Sequence, residues 1–276
     1  MDYSKWITTS GLFKDCKNLE SVGTIDCSST HQLSSMFRGC EKLPYNPLVN
    51  VTNNLTSIEY LFSGCNSLLT LGDISNWNVS GVTTFDDVFE DCYQLTTIDI
   101  SNWDMSNSTR MYATFSGCVN LTELKLPYNI GAPGMGNTFK NCSSLTVISP
   151  INTENVTYFA SPFDGCTKLV RIEGISVKSY GSISRSTIFP YANQSNTRYM
   201  LMKDIGTNEN QTSISLPNIL NWGVTDESDS LSAGARQSLI DSLITYSFDR
   251  ATSGYSTCNI SLASNTKALL TEEEIA

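Results

Sequence analysis

One heptad, Phe-x-x-Cys-x-x-Leu, occurs seven times: Phe13/Cys16/Leu19, Phe37/Cys40/Leu43, Phe62/Cys65/Leu68, Phe89/Cys92/Leu95, Phe115/Cys118/Leu121, Phe139/Cys142/Leu145 and Phe163/Cys166/Leu169. Successive cysteines lie 24, 25, 27, 26, 24 and 24 residues apart. A unit of that size cannot bury an apolar face alone, so a fixed period in the twenties implies coils stacked in a solenoid. About seven coils of 24–27 residues are expected. A solenoid offers a long, regular surface, and such surfaces usually serve binding.

Composition narrows the partners. The net charge of −10, with Lys and Arg scattered singly, argues against nucleic acid, which requires clustered basic residues. No apolar run is long enough for a membrane span. Seven of the nine cysteines, Cys16, Cys40, Cys65, Cys92, Cys118, Cys142 and Cys166, hold the same place in successive coils. Coils stacked at about 4.8 Å would line them into a buried column. Parallel side chains in such a column rarely meet the geometry of a disulfide, so free thiols acting as small apolar fillers are expected. Cys27 and Cys258 fall outside the column.

Within one coil, the heptad's Leu opens an alternating stretch, as in Leu95-Thr-Thr-Ile98-Asp-Ile100 and Leu121-Thr-Glu-Leu124-Lys-Leu126. Period-two alternation predicts a short strand with one buried face, and stacked coils would join these strands into a parallel sheet. A polar corner follows, Ile74-Ser-Asn-Trp77 or Ile100-Ser-Asn-Trp103. Apolar residues then recur at spacings of three and four (Val82, Phe85, Phe89, Cys92), which predicts a short helix. Gly39, Gly64, Gly117 and Gly165, each just before its Cys, suit the end of that helix. Pro44 and Pro47 in the second repeat, and Gly131-Ala-Pro-Gly134 in the sixth, predict a broken or bulged sheet there.

The combination Phe-Ser-Gly-Cys-x-x-Leu, Leu-Thr-x-Ile-Asp-Ile-Ser-Asn-Trp and a following Asp-Met-Ser or Asn-Val-Ser resembles the BspA-like leucine-rich-repeat surface proteins. It spans roughly residues 2 to 175 and is most specific at 62–77, 89–105 and 115–126. The resemblance implies a right-handed α/β solenoid of leucine-rich-repeat type, with a parallel sheet on one side and short helices on the other. It also implies repetitive surface proteins of bacteria and microbial parasites, adhesion to host or matrix proteins, and relatives in gut bacteria and their phages. No catalytic residue comes with it.

The heptad ends before Lys178, which divides the chain into a solenoid at 1–178 and irregular terminal repeats with a helix-strand-helix cap at 179–276. Tyr199–Met202, Ser213–Leu216 and Asn259–Leu262 read as strands. Ser232 is positioned to cap a helix whose apolar face is Leu239, Ile240, Leu243 and Ile244, and Thr271–Glu274 forms a capping box. At the other end, Asp2–Trp6 resembles a corner, so the first coil starts partway and uncapped; a fragment of a longer chain is the first expectation, and a subunit or domain stacked on that end is the alternative. Met1–Trp6 has no basic or apolar leader pattern. The chain is therefore expected either to bypass the general secretory route or to be part of a longer one.

Catalysis has little to draw on. His31 is the sole histidine, and no Ser-His-Asp or Cys-His set can be built without it. Cys16 and Cys27, the closest cysteines, have ten residues between them, and no metal or cofactor is expected. Gly131–Thr138 matches phosphate-loop spacing but has Asn137 where the lysine belongs, and reads as a repeat corner. Asn54, Asn107 and Asn155 begin Asn-x-Ser/Thr sequons, as an Asn- and Thr-rich repeat generates. The binding candidates are the outward residues of the sheet, Thr97, Asp99, Glu123, Lys125, Arg171 and Glu173, with Tyr93, Tyr112 and Tyr128 nearby in sequence.

The expectation is a non-enzymatic binding, adhesion or structural module outside the cell, with a protein or glycan ligand on a cell surface. A phage virion component (fibre, receptor-binding or decoration protein) is the first setting, and a bacterial cell-surface adhesin is the alternative. The scaffold of a carbohydrate-active enzyme ranks third, since it needs paired acids, such as Asp86/Asp87 or Glu90/Asp91, set across a groove.

Overall fold

A computed structural model describes residues 8–169, apart from 53–54, 132–133, 149–150, 152–155, 157 and 159, together with the backbone of four later strands. The Trp6 corner, the sequons at Asn54 and Asn155, Cys258, the helix from Ser232 and the Thr271 capping box lie outside the described residues.

The heptad's phenylalanines form one ladder. Phe13, Phe37, Phe62, Phe89, Phe115, Phe139 and Phe163 stack in chain order, with neighbouring centroids 5.3–6.2 Å apart and planes within 10°. That is a favoured separation for offset rings, and each buried ring contributes about 1.5–3 kcal/mol through burial alone. Trp77 and Trp103 stack at the corner, where the Trp103 indole N–H donates to the Ile74 carbonyl at 2.8 Å.

The cysteines run beside this ladder and do more than fill space. From Cys40 to Cys166, each thiol donates to the carbonyl of the phenylalanine one coil earlier, at 2.9–3.2 Å. Cys is thus the side chain that is both small and apolar and still supplies a donor there. All eight described cysteines are free thiols, and burial pushes Cys40, Cys118 and Cys166 up to about 12. Cys27, outside the column, is also buried and pushed up to about 12.

The predicted strands are present but short: β1 Ile25–Asp26, β2 Leu48–Val49, β3 Thr97–Asp99, β4 Glu123–Lys125, β5 Val147–Ile148 and β6 Arg171–Ser176. Then come β7 Tyr199–Asp204, β8 Ser213–Ser215 and β9 Asn259–Ser261, at the three places the later alternation marks. Every pairing is parallel: β1 with β2, β3 with β4, β5 with β6 and β6 with β7, and β8 with β9. The prolines of the second repeat do not abolish pairing. Pro47 has no N–H to give, but its carbonyl accepts from Ile25 at 2.9 Å, and Tyr45 still bridges Thr70.

The helices are the main correction. Among the described residues none forms; the stretch around each heptad is a run of turns. Two positions per coil are left-handed. Two residues before the phenylalanine lie Gly11, Ser35, Tyr60, Asp87, Ala113, Asn137 and Ser161, with φ between 51° and 67°. Two residues after it lie Asp15, Gly39, Gly64, Asp91, Gly117, Asn141 and Gly165, with φ between 56° and 77°. An α-helix of L-residues cannot contain such positions. The amides divide instead. Cys65 donates back to Phe62 within its own coil, while Tyr60, Phe62 and Gly64 donate forward to Asp86, Val88 and Glu90 of the next. The same division recurs from Gly11 to Asn141.

Three outcomes follow from this packing. Ala113, at φ 51°, carries left-handed strain of about 1–2 kcal/mol. Ala113→Gly is therefore expected to stabilise the protein by about 1 kcal/mol in urea denaturation, whereas in a helix the same change would cost about that much. In the native state, iodoacetamide is expected to label Cys16, which is exposed, and to spare the buried cysteines from Cys40 to Cys166. Cys118→Ala, which loses both a donor and volume, is expected to cost about 1–3 kcal/mol in the same denaturation assay.

Candidate functional site

On the strand side, four of the six sequence candidates come together. Ile98 and Leu124 are buried, so Thr97, Asp99, Glu123 and Lys125 face outward. Register places Thr97 opposite Glu123 and Asp99 opposite Lys125. The Lys125 ammonium lies 3.1 Å from Asp99 and 3.2 Å from Glu123. Asp99 also accepts from the Ser101 hydroxyl at 2.7 Å and from its N–H at 3.1 Å, and these bonds hold its carboxyl below the ordinary range. The charges thus largely satisfy one another, and solvent screens exposed pairs of this kind. Thr97 and Asp99 do line a polar groove of about 330 Å³ together with Asp73, Ser75 and Asn102. Arg171 and Glu173 lie apart from this group on β6, opposite Val147 of β5 and Leu201 of β7.

A larger groove, about 570 Å³, runs along the turn side, where the sequence reading placed no site. Parallel bridges link Thr84, Arg110, Gly134 and Tyr158, one from each of four successive coils. Two residues further along each coil stand Asp86, Tyr112 and Gly136. Tyr112 therefore belongs to this side, and not beside the sheet as its place in the sequence suggested. Asp86, only 4 % exposed, accepts from the Arg110 Nε at 2.5 Å, from the Arg110 Nη2 and from the Tyr112 N–H at 2.9 Å. This fixes the guanidinium of a side chain that is 60 % exposed. Further toward the start of the chain, the Glu59 carboxylate collects the hydroxyls of Ser57, Ser34 and Thr84. Burial opposes its charge, yet these bonds hold its carboxyl below the ordinary range.

Asp87 is the exception. Burial first, then the charges of Glu90 and Asp86, push it up to about 7, against a hydrogen bond from Tyr60 and the nearby charge of Arg38. Arg38 lies over the Tyr60 ring, 4.4 Å from its centroid. His31 is exposed, and its carbonyl accepts from Thr56. Among the described residues no cluster of His, Cys, Asp or Glu suits a metal, and no helix is long and apolar enough to cross a membrane.

With repeat, ladder and surface in place, comparison with known proteins defines the class. Residues 85–191 match the family described as BspA type leucine rich repeat region, in six copies. Residues 7–126 match the family described as Mycoplasma protein of unknown function, DUF285. Residues 85–191 thus carry leucine-rich repeats of the BspA type, and the fold of the repeats is of leucine-rich-repeat type. Among solved structures, a leucine rich cell surface protein of Faecalibacterium prausnitzii A2-165 is similar at 13 % identity, with a TM-score of 0.37, covering 82 % of this chain and 84 % of that one. No curated protein matches.

The position of Asp87 predicts a pH dependence. Its folded form holds a proton up to about pH 7, whereas the unfolded chain releases it near 3.8. The native state thus binds more protons across that interval, and stability falls as pH rises through it. Asp87→Asn should remove this component. Asn tolerates the left-handed φ of 55°, and Asn137 occupies the corresponding place two coils later. Thermal melts should place the variant above the wild type at pH 8, with the gap closing toward pH 4. A gap independent of pH would contradict the assignment.

Proposed function

We propose that this chain is a non-enzymatic binding or adhesion module displayed outside the cell. The observation that carries this reading is the turn-side groove, where exposed tyrosines stand beside charged groups held rigidly by the stack. The BspA-type repeats at 85–191 support binding or adhesion as the class of activity. A catalytic role for the adjacent acids is disfavoured by their arrangement: Asp86 is committed to Arg110 and to a backbone amide, and Asp87 lies on the same stretch of chain. They do not face each other across the groove as a glycosidase pair must.

Two surfaces suit a partner, the turn-side groove and the outward strand residues Thr97, Asp99, Glu123 and Lys125; Arg171 and Glu173, on β6, remain candidates from the alternation alone. The ligand is a protein or glycan on a cell surface. A partner stacked before the first coil is a further candidate, and it would have to supply donors, because the turn amides that link coils, from Gly11 onward, donate forward. The setting is a phage virion or a bacterial cell surface, and a binding solenoid serves either. Mass spectrometry of purified virions and of bacterial surface fractions tests the placement. Recovery in either fraction is expected; recovery confined to the soluble cytoplasm would refute display outside the cell.

A further inference from the structure

We propose that the part of the turn-side groove rimmed by Tyr112 and Tyr158, whose rings pack over Gly136, is a glycan-binding site that seats a neutral pyranose against those two rings. The inference deepens the binding-module reading and rests on it. Its origin is a local change in the repeat. Where the neighbouring coils carry Arg110 and Tyr112, or Tyr158, the sixth coil carries Gly134 and Gly136. A Cβ on Gly136 would meet the Tyr158 ring at 2.6 Å and the Tyr112 ring at 3.3 Å, so both rings lie over bare backbone. A Cβ on Gly134 would meet the Arg110 side chain at 3.3 Å. The Asn137 amide donates to the Tyr112 hydroxyl at 3.0 Å and fixes that ring, yet Tyr112 and Tyr158 remain 41 % and 56 % exposed. Two exposed rings thus meet at the margin of one groove, whereas the exposed Tyr93 and Tyr128 stand outside it.

The chemistry of the margin selects the ligand. A pyranose presents C–H groups on one face and hydroxyls around its edge, each hydroxyl both donor and acceptor. The tyrosine faces suit the first, and the exposed edge of the Arg110 guanidinium with the Asp87 carboxyl suits the second. Both tyrosines have few rotatable bonds, so little freedom is lost on binding. Acidic glycans are disfavoured because the guanidinium at the groove, that of Arg110, is already paired with the Asp86 carboxylate. A quaternary ammonium needs ring faces converging on one point, and the Tyr60 face is already covered by Arg38. An extended peptide would need an open backbone edge, but the backbones of Arg110, Gly134 and Tyr158 are paired coil to coil.

The test uses the full chain on an array of immobilised neutral oligosaccharides with hexose and N-acetylhexosamine termini, with sialylated and uronic-acid counterparts alongside, at pH 7. Tyr158→Ala removes one platform ring from an exposed position, and Tyr128→Ala removes another exposed ring, outside the groove. Retention on neutral glycans, weakened about tenfold or more by Tyr158→Ala and unchanged in Tyr128→Ala, is expected. Retention only on acidic glycans, or equal loss in both variants, overturns the site. Adhesion to whole bacterial cells, assayed in parallel on protease-treated and untreated cells, separates the two levels. Protease-sensitive adhesion without glycan retention overturns the ligand class and points to a protein partner. Absence of both overturns the binding-module reading as well.

Discussion

The forward donation of turn amides is the constraint on which the rest of this molecule depends. In each described coil the left-handed residues on either side of the phenylalanine rotate alternate N–H groups out of the coil and onto the next. A helix would have consumed those donors internally and left the coils joined by side chains alone. Here the backbone itself bonds coil to coil on the turn side, as the short parallel strands do on the other. With both sides registered, the phenylalanine rings are brought to stacking distance, and each cysteine thiol reaches the carbonyl of the preceding phenylalanine. An interior of this kind tolerates little change in volume, which explains why one heptad repeats so strictly.

The same registration makes the surface a set of columns, and function arises where a column changes composition. Five residues before the phenylalanine, the column reads Thr84, Arg110, Gly134, Tyr158, and two places later it reads Asp86, Tyr112, Gly136, Ala160. Long side chains in the fifth and seventh coils close over a sixth coil that has none, and a groove results without any departure of the backbone from its ladder. A rigid stack thereby holds tyrosines and a paired arginine in fixed relation, the preorganisation that lets a shallow site bind.

Much of this was legible in the residues. The cysteine interval gave the coil, and the alternation at Leu95–Ile100 and Leu121–Leu126 located β3 and β4. The turns were misread for a physical reason: Val82, Phe85, Phe89 and Cys92 recur at spacings of three and four whether the chain is helical or turns tightly with alternate residues inward. The corrective signal was present two residues after each phenylalanine, where Asp15, Gly39, Gly64, Asp91, Gly117, Asn141 and Gly165 interchange. Gly, Asn and Asp replace one another at left-handed positions, not along a helix face. Tyr60 and Ala113 obscured the companion column, because neither residue type signals positive φ. The groove was hidden differently. Gly131–Gly136 reads as a corner until the repeats are aligned on phenylalanine, and only then do Gly134 and Gly136 fall between Arg110, Tyr112 and Tyr158. Thr97, Asp99, Glu123 and Lys125 were correctly placed facing outward, but alternation alone could not reveal that Lys125 already bridges Asp99 and Glu123.

The most direct test of the forward-bonded turn ladder is a long-range HNCO experiment on deuterated protein, which detects the scalar coupling across a hydrogen bond and so names donor and acceptor together. The account predicts cross-peaks from the Phe62 amide to the Val88 carbonyl and from the Phe89 amide to the Thr114 carbonyl, each spanning two coils. Cross-peaks from those amides to the carbonyls four residues earlier, Ile58 and Phe85, would mean helices on that side and would contradict it.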